Sequence, residues 1–583
     1  MKAAHLTSKT ARLALAALIA ALMALNFVHL FLDRSPLTFD ALYYYNMAYN
    51  FRLAFMSNAD SVSAPVLHAV FFDAFRPPLL GVLGGLSLMT QHVIDNPTMA
   101  IIPVQLLFFP ILLASVFAVA RRIAPLENSS VAFLAAFVVA TSPGIVAFSK
   151  TMMTDLPLAA AAWAALAALL ACDRFRKLGA SFGFGVACGV GLLIKQPFPL
   201  FVLVPAGAVA VQSWRRRDRR GRMAAGMFLA AAGAAAVALP WYVLNFEGSL
   251  RAHLAGSDNN IPTNLHYFTP RPFFDWIPNW ELGWLFAALA GAGAVRLLAR
   301  KSLRKRYLPF MAWGAAAIVP SFLFFSASAN KQFRFVLPIV PFFAVVLALG
   351  LFGQADHVWR RRRLQAWARP AATAFVIVAG LAQFAFNSFA PLPWRKTAVR
   401  DLPALPDPSA RSPLEEAFGT AGFNIYRYGN HLGLYRVNRV GMDGLMLYSS
   451  LLAQGSFRQT RRSHARILVL DDGSHPELAD EMAHLCRLDG APCEVIRLPY
   501  TAKGHEIIDQ KEAIKAWSDV CIAWLPCFQC RPPQVRAMID DGYIDANQFI
   551  WEGLSRDGDL SMWLNPAAKP DASPPAGVRV PAA

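Results

Sequence analysis

Long apolar segments separated by short clusters of arginine and lysine leave this chain little choice of fold. The segments are read at 11–32, 77–93, 99–120, 130–148, 156–172, 180–194, 196–214, 223–245, 280–300, 307–327, 335–354 and 370–388. A run of roughly 17–25 apolar residues is enough to cross a hydrocarbon core of about 30 Å as a helix. Only 16% of the residues are charged, against about 25% in soluble domains. The expected fold is an α-helical polytopic membrane bundle of about 11–13 transmembrane helices, since helices satisfy their own backbone in lipid.

The formal net charge of +18 invites a nucleic-acid reading, but the placement of the charge opposes it. The basic residues gather between apolar segments, at Arg121-Arg122 and in 174–177, 215–222, 300–306 and 360–363. This is the pattern of cytoplasmic loops that set orientation. The first apolar run follows Lys2, Lys9 and Arg12. It is longer than the 7–15 residues of a signal-peptide core, and no small-residue cleavage site is evident. A retained anchor with a cytoplasmic N-terminus is expected, in a bacterial inner membrane. The stretches 149–155, 246–279, 328–334 and everything after about 389 then fall on the periplasmic side. One conflict remains. Asp40 should lie outside, yet two crossings before Arg121-Arg122 give the wrong parity, so one segment within 77–120 is expected to be re-entrant or superficial, unless a span was missed or split.

The membrane domain is expected over 1–390, followed by a proline-rich linker and the start of an extramembrane region at 391–460. A small periplasmic α/β domain is expected at 461–565, with strands at 466–470 and 493–498 and an amphipathic helix at 477–485, and a disordered tail at 566–583. Cys486, Cys493, Cys521, Cys527 and Cys530 fall in this region. Structural disulfides with one thiol left over are the leading reading, ahead of a metal site, because Cys527 and Cys530 have no second CxxC partner.

Four polar stretches sit on one expected face. They are Asp40 with Tyr43, Tyr44 and Asn46; Ser149-Lys150-Thr151-Met152-Met153-Thr154-Asp155; Lys195-Gln196-Pro197; and Asn330-Lys331-Gln332-Phe333-Arg334. Each has an ordinary explanation. Asp155 could cap a helix, Lys331 and Arg334 could reach to headgroups, and Asp40 could be a plain loop residue. Together they suit a reaction between a lipid-linked phosphate and a hydroxyl. Cations hold phosphate oxygens and stabilise the charge of a leaving group, and a carboxylate can take a proton.

In their order these stretches resemble the GT-C superfamily of membrane glycosyltransferases, in the branch of the protein O-mannosyltransferases and lipid A aminoarabinose transferases. Phe39-Asp40-Ala41-Leu42-Tyr43-Tyr44 is similar to the acidic motif of the first external loop, and Arg76-Pro77-Pro78-Leu79 to the stretch that opens a later span. Thr154-Asp155-Leu156-Pro157 resembles the second acidic position, Gly191-Leu192-Leu193-Ile194-Lys195-Gln196-Pro197 the lysine motif, and Lys331-Gln332-Phe333-Arg334-Phe335-Val336-Leu337-Pro338 the later basic motif. Two departures stand out: Ala41 follows Asp40 where many relatives carry a second acid, and Phe335 replaces the usual tyrosine.

The resemblance implies inverting transfer of a sugar from a polyprenyl-phosphate donor to a periplasmic glycan, lipid or protein. It implies Asp40 as base or acceptor-orienting group, with Asp155 assisting. It further implies Lys195, Lys331, Arg334 and, more weakly, Arg76 on the donor phosphate, and Tyr43 and Tyr44 packing on sugar or isoprenoid. The sequence identifies no cofactor; a divalent cation stays an open alternative, because Asp40 and Asp155 alone define no metal cage. The competing classes are a lipid or sugar transporter and a non-catalytic envelope-assembly scaffold.

Overall fold

The computed structural model describes residues 8–32, 39–57, 63, 67, 76–92, 97–124, 128–215, 220–247, 269–328, 333–353 and 363–389, together with five strands between 465 and 564. Two compact units are present; the helices belong to the first, apart from the opening residues of the second helix, and the strands belong to the other.

The helices follow the apolar segments closely. They are α1 (Ser8–Leu32), α2 (Phe39–Ser57), α3 (Leu79–Leu88), α4 (Phe109–Ile123), α5 (Asn128–Thr141), α6 (Pro143–Phe148), α7 (Asp155–Ala171) and α8 (Leu178–Ile194). The chain continues through α9 (Pro199–Arg215), α10 (Arg220–Leu244), α11 (Arg271–Trp276), α12 (Trp284–Ala299), α13 (Lys301–Ala327), α14 (Val340–Phe352) and α15 (Arg363–Phe389). Among the described residues five helical stretches are long and apolar enough to cross a membrane by themselves: Lys9–Val28, Met99–Ile123, Arg220–Leu244, Lys301–Ala327 and Arg334–Leu351. The protein is an integral membrane protein.

Two expectations need correction. The segment carrying Asp40 was expected as a loop; it is the helix α2. Its three consecutive tyrosines lower its hydropathy without preventing a helix. The segment 77–93 was expected to span, but α3 has ten residues before the chain tightens into 3₁₀ turns at Met89–His92 and Pro97–Ile101. A helix of that length rises only about 15 Å, half the hydrocarbon thickness. A helix this short agrees with the alternative that one segment within 77–120 is re-entrant or superficial.

Glycine sets how closely the helices approach. A β-carbon on Gly185 of α8 would collide with the Ala230 carbonyl of α10, and one on Gly350 of α14 would collide with the backbone of Gly293 in α12. Small residues at such crossings let backbones pack directly where lipid supplies no hydrophobic drive. The α12–α14 crossing is closed by Arg296, which donates to the carbonyls of Gly350 (2.7 Å) and Leu351 (2.5 Å), capping groups that a helix end leaves open. Gly350→Ala is expected to destabilise the helical unit by about 1–3 kcal/mol, the usual cost of overpacking. Gly179→Ala, where a β-carbon meets nothing within 4 Å, serves as the control in thermal unfolding in detergent.

In the second unit β1 (Ala465–Asp471), β2 (Cys493–Pro499), β3 (Val520–Trp524), β4 (Ile544–Asp545) and β5 (Leu560–Leu564) form one sheet in the order β2-β1-β3-β5-β4. β1 pairs in parallel with β2 and β3, with Ile467 opposite both Val495 and Val520, while β5 runs antiparallel to β3 and β4. β1 and β2 coincide with the two strands expected there. The helix expected at 477–485 and the cysteines Cys486, Cys527 and Cys530 lie outside the described residues.

Candidate functional site

Asp155 is the anchor. It occupies the first turn of α7, after Thr154 at the N-cap position, where the positive end of the helix dipole favours a carboxylate. It is fully buried. It therefore needs a partner, because an isolated buried charge is very costly. Lys195 supplies one: its Nζ lies 2.7 Å from Asp155 Oδ1, with the lysine side chain 19% exposed. Lys195 stands at the C-cap of α8, in extended backbone that leads toward Pro197, so a cation meets the negative end of that helix. The capping explanation for Asp155 is displaced by this ion pair.

Arg334 joins from the other side. It sits in the 3₁₀ segment Phe333–Ile339 and is only 5% exposed, which excludes a side chain reaching out to headgroups. Its Nη1 lies 3.7 Å from Met153 Sδ. Its guanidinium lies 5.7 Å from the centre of the Phe335 ring, and Lys195 Nζ lies 5.3 Å from the same ring. One aromatic ring thus serves two cations, a role for which phenylalanine suffices where the motif usually has tyrosine. Trp163, two turns into α7, donates Nε1–H to the Pro338 carbonyl at 2.9 Å and pins the 3₁₀ segment to the helix that carries Asp155.

On the Asp155 flank, the Thr154 hydroxyl donates to the Tyr44 hydroxyl at 3.5 Å, and the Arg76 guanidinium stacks 5.6 Å from the Tyr44 ring centre. Tyr44 is buried, while Arg76 and Tyr43 are half-buried. The structure therefore brings Arg76, Tyr44, Asp155, Lys195 and Arg334 into one chain of contacts. Asp40 lies in the first turn of α2; its side chain and the whole of Lys331 lie outside the described residues. Among the described residues no group of three or more histidine, cysteine, aspartate or glutamate side chains could hold a metal ion.

Two buried charges were given no role by the sequence reading. Lys150, 2% exposed, places its Nζ 5.3 Å from the centre of the Phe384 ring of α15. Glu281 ends a π-turn, Ile277–Glu281, ahead of α12 and is fully buried. Glu281 did carry a signal. It is an acid inside the apolar segment 280–300, where an ionisable residue marks a functional position by default.

A polytopic helical bundle with a buried carboxylate–lysine pair and a buried arginine close to it is what the fold and site define. A model of one family, dolichyl-phosphate-mannose-protein mannosyltransferase, matches residues 105–255, a stretch that includes Asp155 and Lys195 but not Asp40, Arg76 or Arg334. Among solved structures, ArnT from Cupriavidus metallidurans in the apo state superposes with a TM-score of 0.52 at 14% identity, covering 95% of this chain and 99% of its own. The same protein bound to undecaprenyl phosphate gives 0.49 at 14% identity, with 95% and 99% covered. Mycobacterial arabinofuranosyltransferase AftD gives 0.42 at 14% identity over 94% of this chain and 40% of its own. No curated protein matches by sequence. The chain has the fold of ArnT.

Proposed function

We propose that the protein is a glycosyltransferase that moves a sugar from a polyprenyl-phosphate donor to an acceptor outside the cytoplasm. The single observation that carries this reading is the Asp155–Lys195 pair with Arg334 beside the same aromatic ring. Lys195 and Arg334 put two cations in a site largely closed to water. There, fixed donors stabilise a leaving group strongly. The mannosyltransferase family model over Asp155 and Lys195 supports the same donor chemistry.

The acceptor oxygen attacks the anomeric carbon, the bond from that carbon to the phosphate oxygen breaks with inversion, and polyprenyl phosphate leaves. Lys195 and Arg334, with Lys331, hold the phosphate, and Arg76 contributes from the Tyr44 side. Asp40, at the start of the helix that carries Tyr44, takes the proton of an acceptor hydroxyl. The isoprenoid has a receptor nearby. An apolar cavity of about 630 Å³ is lined by Phe274, Leu282, Ile318, Phe322, Ile339 and Phe342, and Ile339 closes the 3₁₀ segment of Arg334. With α3 not crossing, the basic clusters fall on the cytoplasmic side, and Asp155, Lys195 and Arg334 fall opposite.

The test uses the full chain in nanodiscs with a panel of polyprenyl-phosphate sugars and candidate acceptors, following release of polyprenyl phosphate. Wild type should release it from one donor class. Asp40→Asn should bind that donor unchanged and lose at least about a hundredfold in rate, the usual contribution of a general base. Equal rates for the two proteins would remove Asp40 from the mechanism, and no donor bound by wild type would remove the transferase reading.

A further inference from the structure

Three contacts of the site leave one short connection, residues 149–155. Met153 meets Arg334 (3.7 Å), Thr154 meets Tyr44 (3.5 Å) and Asp155 meets Lys195 (2.7 Å). The connection is irregular up to Asp155 and buried throughout. Its backbone bonds are local: Lys150 N–H donates to the Ala147 carbonyl and Met153 N–H to the Thr151 carbonyl. The placement of such a segment depends on what its side chains touch. The Asp155–Lys195 pair holds one end, and the other end is Ser149.

Ser149 is held from α1. Asn26, fully buried within the apolar stretch Lys9–Val28, donates from Nδ2 to Ser149 Oγ at 3.0 Å. That hydroxyl in turn donates to the Val146 carbonyl at 2.7 Å, and Ser149 N–H donates to the Ile145 carbonyl at 3.0 Å. Asn26 is itself tied down, because Gln105 Nε2 donates to its backbone carbonyl at 3.3 Å. Gln105 is also fully buried and sits in the π-helical turn Val104–Phe108 that leads into α4. Such widened turns gather at functional sites. Between the two ends, Lys150 lies 5.3 Å from the Phe384 ring of α15. Met152 Cε fills the space that a β-carbon on Gly84 of α3 would need.

An amide that only joined two spanning helices would bond from one to the other. Asn26 instead bonds the first residue of the connection that delivers Met153, Thr154 and Asp155. We infer that Asn26, backed by Gln105, is a positioning residue: through Ser149 it fixes the register of 149–155, and with it the placement of Lys195 and Arg334 around the donor phosphate. A slip at Ser149 moves Asp155 against Lys195 and Met153 against Arg334 together, so both cations shift at once. This rests on the transferase reading above.

The experiment follows polyprenyl-phosphate release and donor binding in nanodiscs for wild type, Asn26→Leu, Ser149→Ala and the double variant, with the Tm of each. Asn26→Leu keeps the size of the side chain, the Gln105 bond to the backbone and the bond from Ser149 to Val146. It should lower kcat between about tenfold and a hundredfold, a hundredfold being the cost of about 1 Å of misplacement. Its donor Kd and Tm should stay near wild type. Ser149→Ala should lose the same activity and also lower the Tm, because it strands the buried amide of Asn26. The double variant should recover the Tm and lose no further activity, since both changes break one bond. Gly350→Ala, which loosens the α12–α14 crossing, should lower the Tm and keep the wild-type kcat. Losses in kcat that multiply in the double variant, or that follow the Tm from protein to protein, make the bond a brace of the fold. Either result overturns the inference while leaving the transferase reading standing, as does a wild-type kcat in Asn26→Leu. If wild type neither binds nor turns over any donor, both fall together.

Discussion

Lys195→Met is expected to abolish release of polyprenyl phosphate and to destabilise the helical unit by about 3–5 kcal/mol, the cost of stranding one member of a buried ion pair. The magnitude follows from burial. Asp155 is fully enclosed and has Lys195 Nζ at 2.7 Å; with the ammonium gone, its charge faces an apolar interior and the Phe335 ring. Asp155→Asn removes the charge and keeps the shape, so it should cost far less stability. In Lys195→Met/Asp155→Asn most of the lost Tm should return, since neutralising both partners is often nearly free. Activity should not return, because the phosphate still lacks its cation. The two readouts separate folding from chemistry, and the double-mutant cycle gives the coupling directly. Additive Tm losses in the double variant would mean that the two side chains do not act as a pair.

The sequence shows this pair only in part. Asp155 and Lys195 stand out as charges at the ends of apolar segments, but forty positions separate them, and hydropathy alone does not say that α7 and α8 place them side by side. The family-like motifs supply that link by order, and the geometry agrees. Lys195 needs α8 to stop in extended backbone two residues ahead of Pro197, a residue that does not continue a helix. Arg334 was legible as a cation but not as a buried one. Its burial depends on Trp163, whose indole reaches across to the Pro338 carbonyl.

What stayed illegible has a physical cause in each case. α2 is rich in tyrosine and asparagine, so a hydropathy reading passes over it although its backbone is helical. The short α3 looks like a span because its apolar run reaches Met89 and Val93 resumes it beyond Thr90, Gln91 and His92, and only the hydrogen-bond pattern shows the helix giving way at Met89. Glu281 hides among tryptophans at the mouth of α12, where an acid reads as a segment boundary. Its burial is set against Gly144, far away in sequence.

Arg334→Lys should not rescue Arg334→Ala. Both should lose about 10²–10³ in kcat, the range measured when one preorganised donor to a developing charge is removed. Charge alone predicts rescue; geometry does not. The guanidinium offers five donors in a flat fork that matches phosphate oxygens two at a time and also stacks on an aromatic face, whereas an ammonium is a compact, strongly hydrated point. At 5% exposure that hydration is lost. The flat group's distances, 5.7 Å to the Phe335 centroid and 3.7 Å to Met153 Sδ, suit an in-plane fork packed between ring and thioether. If Arg334 contacts charge that grows as the sugar–phosphate bond breaks, kcat falls and KM moves little. Arg76 is half-buried over Tyr44, and Arg76→Lys should change mainly KM, and by less. A wild-type kcat in Arg334→Lys would reduce Arg334 to a point charge and shift the leaving-group role to Lys195.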